Sequence, residues 1–247
     1  AGLSWKTCLV YLDDIIIYGS SFRSQIGNLR EVLQRLRLAG LKLSPGKCVL
    51  FQRQVTYLGY IINEHGVQAD PDKLEAVASW PTPTKVIEVK RFLGLASYYR
   101  WFIADFAQIA KPLVALTEKD WTFLWTSETQ DSFRALKDLL CKLPILVLPK
   151  KNVEFILDTD ASNAAVGAVL SQKNEQGKEQ VIAYYSKSLN RAERQYCVTR
   201  KELLAAVRAV SHFHCYLYGQ HFQIRSDHSL CNGCCDSVTP KGKLQGG

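Results

Sequence analysis

Two adjacent acids, Asp13 and Asp14, interrupt an otherwise apolar stretch, with Val10, Tyr11 and Leu12 on one side and Ile15, Ile16 and Ile17 on the other. Neighbouring carboxylates repel each other and lose hydration on burial. A fold keeps them in such a context only where a tight turn exposes them or a cation neutralises them. The flanking β-branched and aromatic residues predict two short strands within 8–18 bracketing that turn. A divalent ion beside exposed paired acids suits phosphoryl transfer, because it neutralises charge developing on the attacking and leaving oxygens. A hairpin tip carrying solvated acids is the plainer alternative.

Leu29, Val32, Leu33 and Leu36 recur at helical spacing, predicting a helix over 28–39 that Gly40 terminates. Residues 41–63 read as strands, with Ser44, Pro45 and Gly46 as a turn and a second apolar run over 55–62. From Asp70 to Leu116 the pattern is helical, broken at Trp80-Pro81-Thr82-Pro83. Another helix is predicted over 127–141, where Phe133, Leu136, Leu139 and Leu140 form one face. Strands are then expected at 153–159, 166–172 and 181–186, followed by a helix over 192–217 and a strand at 221–227. That order suits an α+β or mixed α/β domain. Residues 231–247 have neither periodicity, and no structure is expected there.

The segment from Val10 to Tyr18, the helix with Leu29 and Leu36, Ala39 to Leu43, and Tyr57 to Tyr60 together resemble the reverse transcriptase palm of gypsy-type LTR retrotransposons. The likeness continues through Asp70-Pro71-Asp72-Lys73, Trp80-Pro81 and Phe92 to Arg100. It implies that Asp13 and Asp14 are two of three palm carboxylates and that Tyr57 to Ile61 belong to a primer-gripping segment, with Tyr57, Leu58 and Gly59 binding nucleic acid. The family's third palm Asp and its fingers lie upstream of the residues given, so the 247-residue chain by itself is expected to incorporate no nucleotides.

A second set of acids stands at Asp160, Glu202 and Asp227, at the ends of two predicted strands and on the predicted helix beside Leu203, Val207 and Val210. Acids at the ends of different elements can converge on metal, although each alone has a plain explanation as a turn, helix-surface or strand-end residue. Their flanks, including Thr159-Asp160-Ala161-Ser162, Val166 to Gln172, Ala183 to Leu189, Lys201-Glu202-Leu203-Leu204-Ala205 and Ser226-Asp227-His228, resemble the RNase H domain of the same elements. The resemblance makes Asp160, Glu202 and Asp227 metal carboxylates for Mg²⁺ or Mn²⁺, with Asp158 only a neighbour. The family's later helix and fourth acid are not visible. The segment after Leu230 can be back-translated so that a shifted frame resembles the family's next stretch, which suggests a frameshift there.

A formal charge of +8 favours a polyanionic partner. Lys73, Lys85, Lys90, Arg91 and Arg100 alternate with Trp80, Phe92, Tyr98, Tyr99 and Trp101, a mixture that suits a thumb holding a duplex. Those aromatics are read as core rather than stacking platforms, given the area each must bury. Cys231 and Cys234 have half a zinc-site spacing without a second pair and are read as free thiols. No apolar run reaches the roughly 18 residues of a membrane span. Methionine is absent from all 247 residues, so a fragment is expected.

The resulting expectation is a multidomain α/β and α+β chain: palm 1–67, helical thumb 68–117, connection 118–151, a mixed-sheet RNase H-like domain 152–230, and an aberrant tail 231–247. By resemblance its activity is RNA-directed DNA polymerase with ribonuclease H, acting by two-metal phosphoryl transfer. Its partners would be template-primer duplex and RNA/DNA hybrid, with a second copy of the chain as a further candidate and no membrane. It would reside in the cytoplasm, in retroelement particles or in the nucleus. The competing readings are a noncatalytic nucleic-acid-binding remnant or domesticated protein, and an RNase H-fold nuclease with a passive palm piece.

Overall fold

In the computed structural model, strands β1 (Cys8–Tyr11) and β2 (Asp14–Ile17) pair antiparallel with Tyr11 opposite Asp14, leaving only Leu12 and Asp13 in the loop. Leu12 takes φ 51°, the left-handed region that primed hairpin turns use at their first central position. A side chain there costs on the order of 1–2 kcal/mol. Residues 3, 7–118 and 122–226 are described, and the chain divides into two compact units, Ala1–Glu64 and His65–Gly247.

In the first unit, helix α1 (Phe22–Leu38) starts earlier than its apolar repeat suggests, because Ser21 and Ser24 form a reciprocal capping box. It ends in a Schellman motif: Gly40 at φ 70° lets the Leu41 N–H reach Leu36 O at 3.0 Å. The strands expected across 41–63 are confined to β3 (Val55–Tyr57) and β4 (Tyr60–Asn63), while Pro45–Lys47 is a single 3₁₀ turn. The apolar run over 55–62 is not one strand but a hairpin. Leu58 at φ 51° and Gly59 at φ 73° form its two-residue loop, a type I′ signature.

The second unit opens with β5 (Gly66–Ala69), whose Val67 exchanges both backbone bonds with Leu146 at 2.7 and 2.9 Å. Gly66 is obligatory there, since a Cβ would lie 2.0 Å from Leu146 O. Helices α2 (Pro71–Ala78), α3 (Val86–Tyr98), α4 (Phe106–Ala115) and α5 (Ser127–Cys141) follow. They are packed through Phe92, Phe133, Leu136 and Leu140, with the Phe92 and Phe133 rings 4.6 Å apart.

Strands β6 (Phe155–Ala161), β7 (Ala165–Lys173), β8 (Glu179–Ser188) and β9 (Phe222–Arg225) form a sheet ordered β8-β7-β6-β9, with β9 parallel to β6 and the other pairs antiparallel. The expected long helix over 192–217 is three pieces: a 3₁₀ turn at Glu193–Gln195, α6 (Val198–His212) and α7 (His214–Leu217). Leu157, Leu170 and Ile182 pack against Ala209, Phe213 and Leu217 to make the sheet's core. Among the described residues no helix is long and apolar enough to cross a membrane.

Candidate active site

Asp13 and Asp14 are exposed at the β1–β2 tip, and neither forms an ion pair or side-chain hydrogen bond among the described residues. Tyr57 closes β3 within the field of Asp14. Burial of the phenol first, and the aspartate's charge second, hold its hydroxyl above the ordinary range. Leu58 and Gly59 form the turn that directly follows Tyr57.

In the second unit, Asp160 is exposed near the end of β6, opposite Gly167 of β7, and has no protein cation among the described residues. Glu202, on the first half of α6, is only 5% exposed. This corrects the expected helix orientation. Leu203 and Val207 are each 58% exposed, whereas Lys201, Glu202, Ala205, Ala206 and Ala209 face inward. The alanines let the helix approach the sheet closely, and a search for large apolar residues overlooks such a face.

Two long hydrogen bonds converge on consecutive residues at the end of β9. Thr159 Oγ1 donates to Arg225 O, and Ser226 Oγ donates to Glu202 Oε2, each at 3.4 Å. The elements carrying Asp160 and Glu202 thus meet the same backbone segment, which leads directly to Asp227. Asp227, like Cys231 and Cys234, lies outside the described residues, and no group of three potential metal ligands is assembled among those described.

Sequence patterning missed the environment of Asp158. Arg225 donates Nε and Nη2 to its two oxygens at 2.6 and 2.8 Å and contacts Glu179 at 2.8 Å. Asp158 first and Glu179 second push the guanidinium pKa well above its ordinary value. Asp158 is therefore neutralised by protein, whereas Asp160, two residues along the strand, has no such partner among the described residues. Hard carboxylate oxygens at Asp160 with no competing cation among the described residues, and a buried carboxylate at Glu202 on the helix packed against the same sheet, are of the type that suits Mg²⁺ or Mn²⁺.

Of the expected phosphate-contacting cations, Lys90 and Arg91 are exposed on α3 and unpaired among the described residues. Arg100 is placed otherwise: its Nη2 donates to Ser186 O at 2.6 Å and its guanidinium lies 5.2 Å from the Phe106 ring. It ties the helices to β8. Phe92 and Tyr99 are buried core, and Tyr98 is exposed.

Residues 3–62 match the family model described as reverse transcriptase (RNA-dependent DNA polymerase), and residues 125–224 the one described as RNase H-like domain found in reverse transcriptase. Over 235 residues the chain is 42% identical to the retrovirus-related Pol polyprotein from transposon opus of Drosophila melanogaster, covering 90% of this chain and 23% of that relative. The chain belongs to the retrovirus-related Pol polyproteins of LTR retrotransposons. The polyprotein from transposon 297 of the same fly is 40% identical over 97% of this chain and 22% of the relative. The Tf2-3 polyprotein of Schizosaccharomyces pombe is 35% identical over 94% and 18%. This Pol chain thus spans about a fifth of the length of the curated relatives it matches.

Its fold resembles the foamy viral protease-reverse transcriptase solved in complex with RNA/DNA hybrid, with TM-score 0.74, 24% identity, and coverage of 89% of this chain and 30% of that one. The same viral protein solved with dsDNA gives TM-score 0.74 at 23% identity, covering 96% and 50%.

Proposed function

We propose that this Pol chain contributes to copying RNA into DNA and to degrading the RNA of RNA/DNA hybrids, and that its second unit carries the hydrolytic chemistry at Asp160, Glu202 and Asp227. The observation supporting this most directly is the convergence of Thr159 and Glu202 on Arg225 and Ser226, with Asp160 facing no cation among the described residues while Asp158 is neutralised. Divalent metal held by these acids would supply an activated water and neutralise the leaving oxygen. In this proposal Glu202, buried and fixed by Ser226, provides a carboxylate of set orientation, and Asp160 provides the solvent-facing one. Lys90 and Arg91 contact nucleic-acid phosphates. Asp13 and Asp14 serve the polymerase reaction, with Tyr57 within the field of Asp14.

The test is incubation of the 247-residue chain with an RNA/DNA hybrid labelled on either strand, with Mg²⁺ and with chelator. Metal-dependent cleavage confined to the RNA strand is expected. Salt-sensitive hybrid binding without cleavage would instead favour a noncatalytic nucleic-acid-binding role.

A further inference from the structure

Lys201 immediately precedes Glu202 and is 6% exposed. Its ammonium donates one hydrogen bond, 2.9 Å to Asn163 Oδ1, and forms no ion pair among the described residues. Burying a cation is far more costly than burying its aliphatic stem, and one neutral acceptor offsets little of that cost. Methionine would fill similar space without the penalty.

Asn163 lies in the three-residue turn between β6 and β7, directly after the strand that carries Asp160. The turn is internally tied by Ser162, whose Oγ accepts from the Ala164 and Ala165 N–H groups at 3.2 and 3.0 Å. Its far side is held by Leu189 N–H donating to Ala164 O at 2.8 Å. Lys201 supplies the tie to α6. An ammonium can only donate, so it also fixes which end of the Asn163 amide faces inward.

We propose that Lys201 is a positioning residue for the metal carboxylates. Through Asn163 it clamps the turn following Asp160 to the helical position next to Glu202, and so sets the spacing of the two acids. This inference rests on the metal-binding role assigned above to Asp160 and Glu202.

The test is Mn²⁺ binding to the 247-residue chain, followed by electron paramagnetic resonance alongside thermal unfolding, for wild type, Asp160→Asn, Lys201→Met, Lys201→Arg and Asn163→Ala. Lys201→Met and Asn163→Ala are each expected to weaken Mn²⁺ binding by about tenfold or more, the effect of removing groups that orient metal ligands. A double variant combining Lys201→Met with Asn163→Ala should bind no more weakly than either single one, and Lys201→Arg should retain most of the wild-type affinity. A purely structural role would lower the unfolding temperature and leave affinity unchanged.

Asn163 is exposed, so Asn163→Ala reports on the clamp even if Lys201→Met does not fold. Unchanged affinity in the clamp variants, with Asp160→Asn abolishing binding, overturns the clamp alone. Absence of Mn²⁺ binding by wild type, or binding indifferent to Asp160→Asn, overturns the metal assignment and the clamp with it.

Discussion

Arg225 grips both carboxylate oxygens of Asp158, at 2.6 and 2.8 Å, while Asp160 on the same strand has no cation among the described residues. Neutralising the two acids should therefore have opposite consequences. Asp158→Asn removes half of an ion pair whose side chains are more than a third exposed. Solvent screening limits the loss to about 1 kcal/mol, or a fall of roughly 2–4 °C in Tm. Asp160→Asn relieves an uncompensated acid and should leave Tm unchanged or slightly raised. Parallel thermal melts check this, and a larger fall for Asp160→Asn would contradict it.

Lys90 and Arg91 differ from Arg100 in what their charges face. Replacing Lys90 or Arg91 with alanine should reduce the salt dependence of hybrid binding by about one phosphate contact each, with little change in stability. Arg100→Ala should lower Tm by losing the Ser186 and Phe106 contacts, and should leave the salt slope nearly unchanged. Binding titrations over a salt series separate the two behaviours.

The charge of Asp14 acting on Tyr57 predicts a titration shift. Because Asp14 adds to burial in raising the Tyr57 hydroxyl, Asp14→Asn should bring that hydroxyl partway down toward its ordinary value. It should remain elevated by burial. A Tyr57 phenolate titration that does not move on substitution would show that the two groups are not coupled.

Glu193 predicts an acid-side effect. Its carboxylate accepts from Asn190 N–H at 2.9 Å and pairs with Arg208, and these hold its pKa below the ordinary 4.5, the backbone bond contributing most. A depressed acid stabilises the fold above its unfolded pKa, and that contribution is lost as pH falls through the folded value. Glu193→Gln should therefore be less stable than wild type at pH 7, with the difference shrinking as pH drops below about 4.5. Urea midpoints across that range measure it, and a gap independent of pH would contradict it.

Large apolar residues at regular spacing made much of the architecture legible: the hairpin around Asp13 and Asp14, the 127–141 helix, and the β-strands flanking Asn174 to Gly177. What escaped depends on small residues or distant partners. Leu58 and Gly59 look like strand until the left-handed requirement of a two-residue loop is considered. The buried face of α6 is built on Ala205, Ala206 and Ala209, so Leu203 and Val207 pointed to the wrong side. The pairing of Arg225 with Asp158 joins residues far apart in sequence, and no local pattern encodes it.

The central claim concerns Asp160 and Glu202. The most direct measurement is the rate of Mg²⁺-dependent RNA cleavage in an RNA/DNA hybrid for wild type, Asp160→Asn and Glu202→Gln, with hybrid affinity measured in the same samples. Wild type should cleave the RNA strand, and either substitution should lower the rate by roughly a thousandfold or more, on the order of 4 kcal/mol of transition-state stabilisation, while affinity stays within a few-fold. Cleavage at the wild-type rate by Asp160→Asn or Glu202→Gln would contradict the assignment.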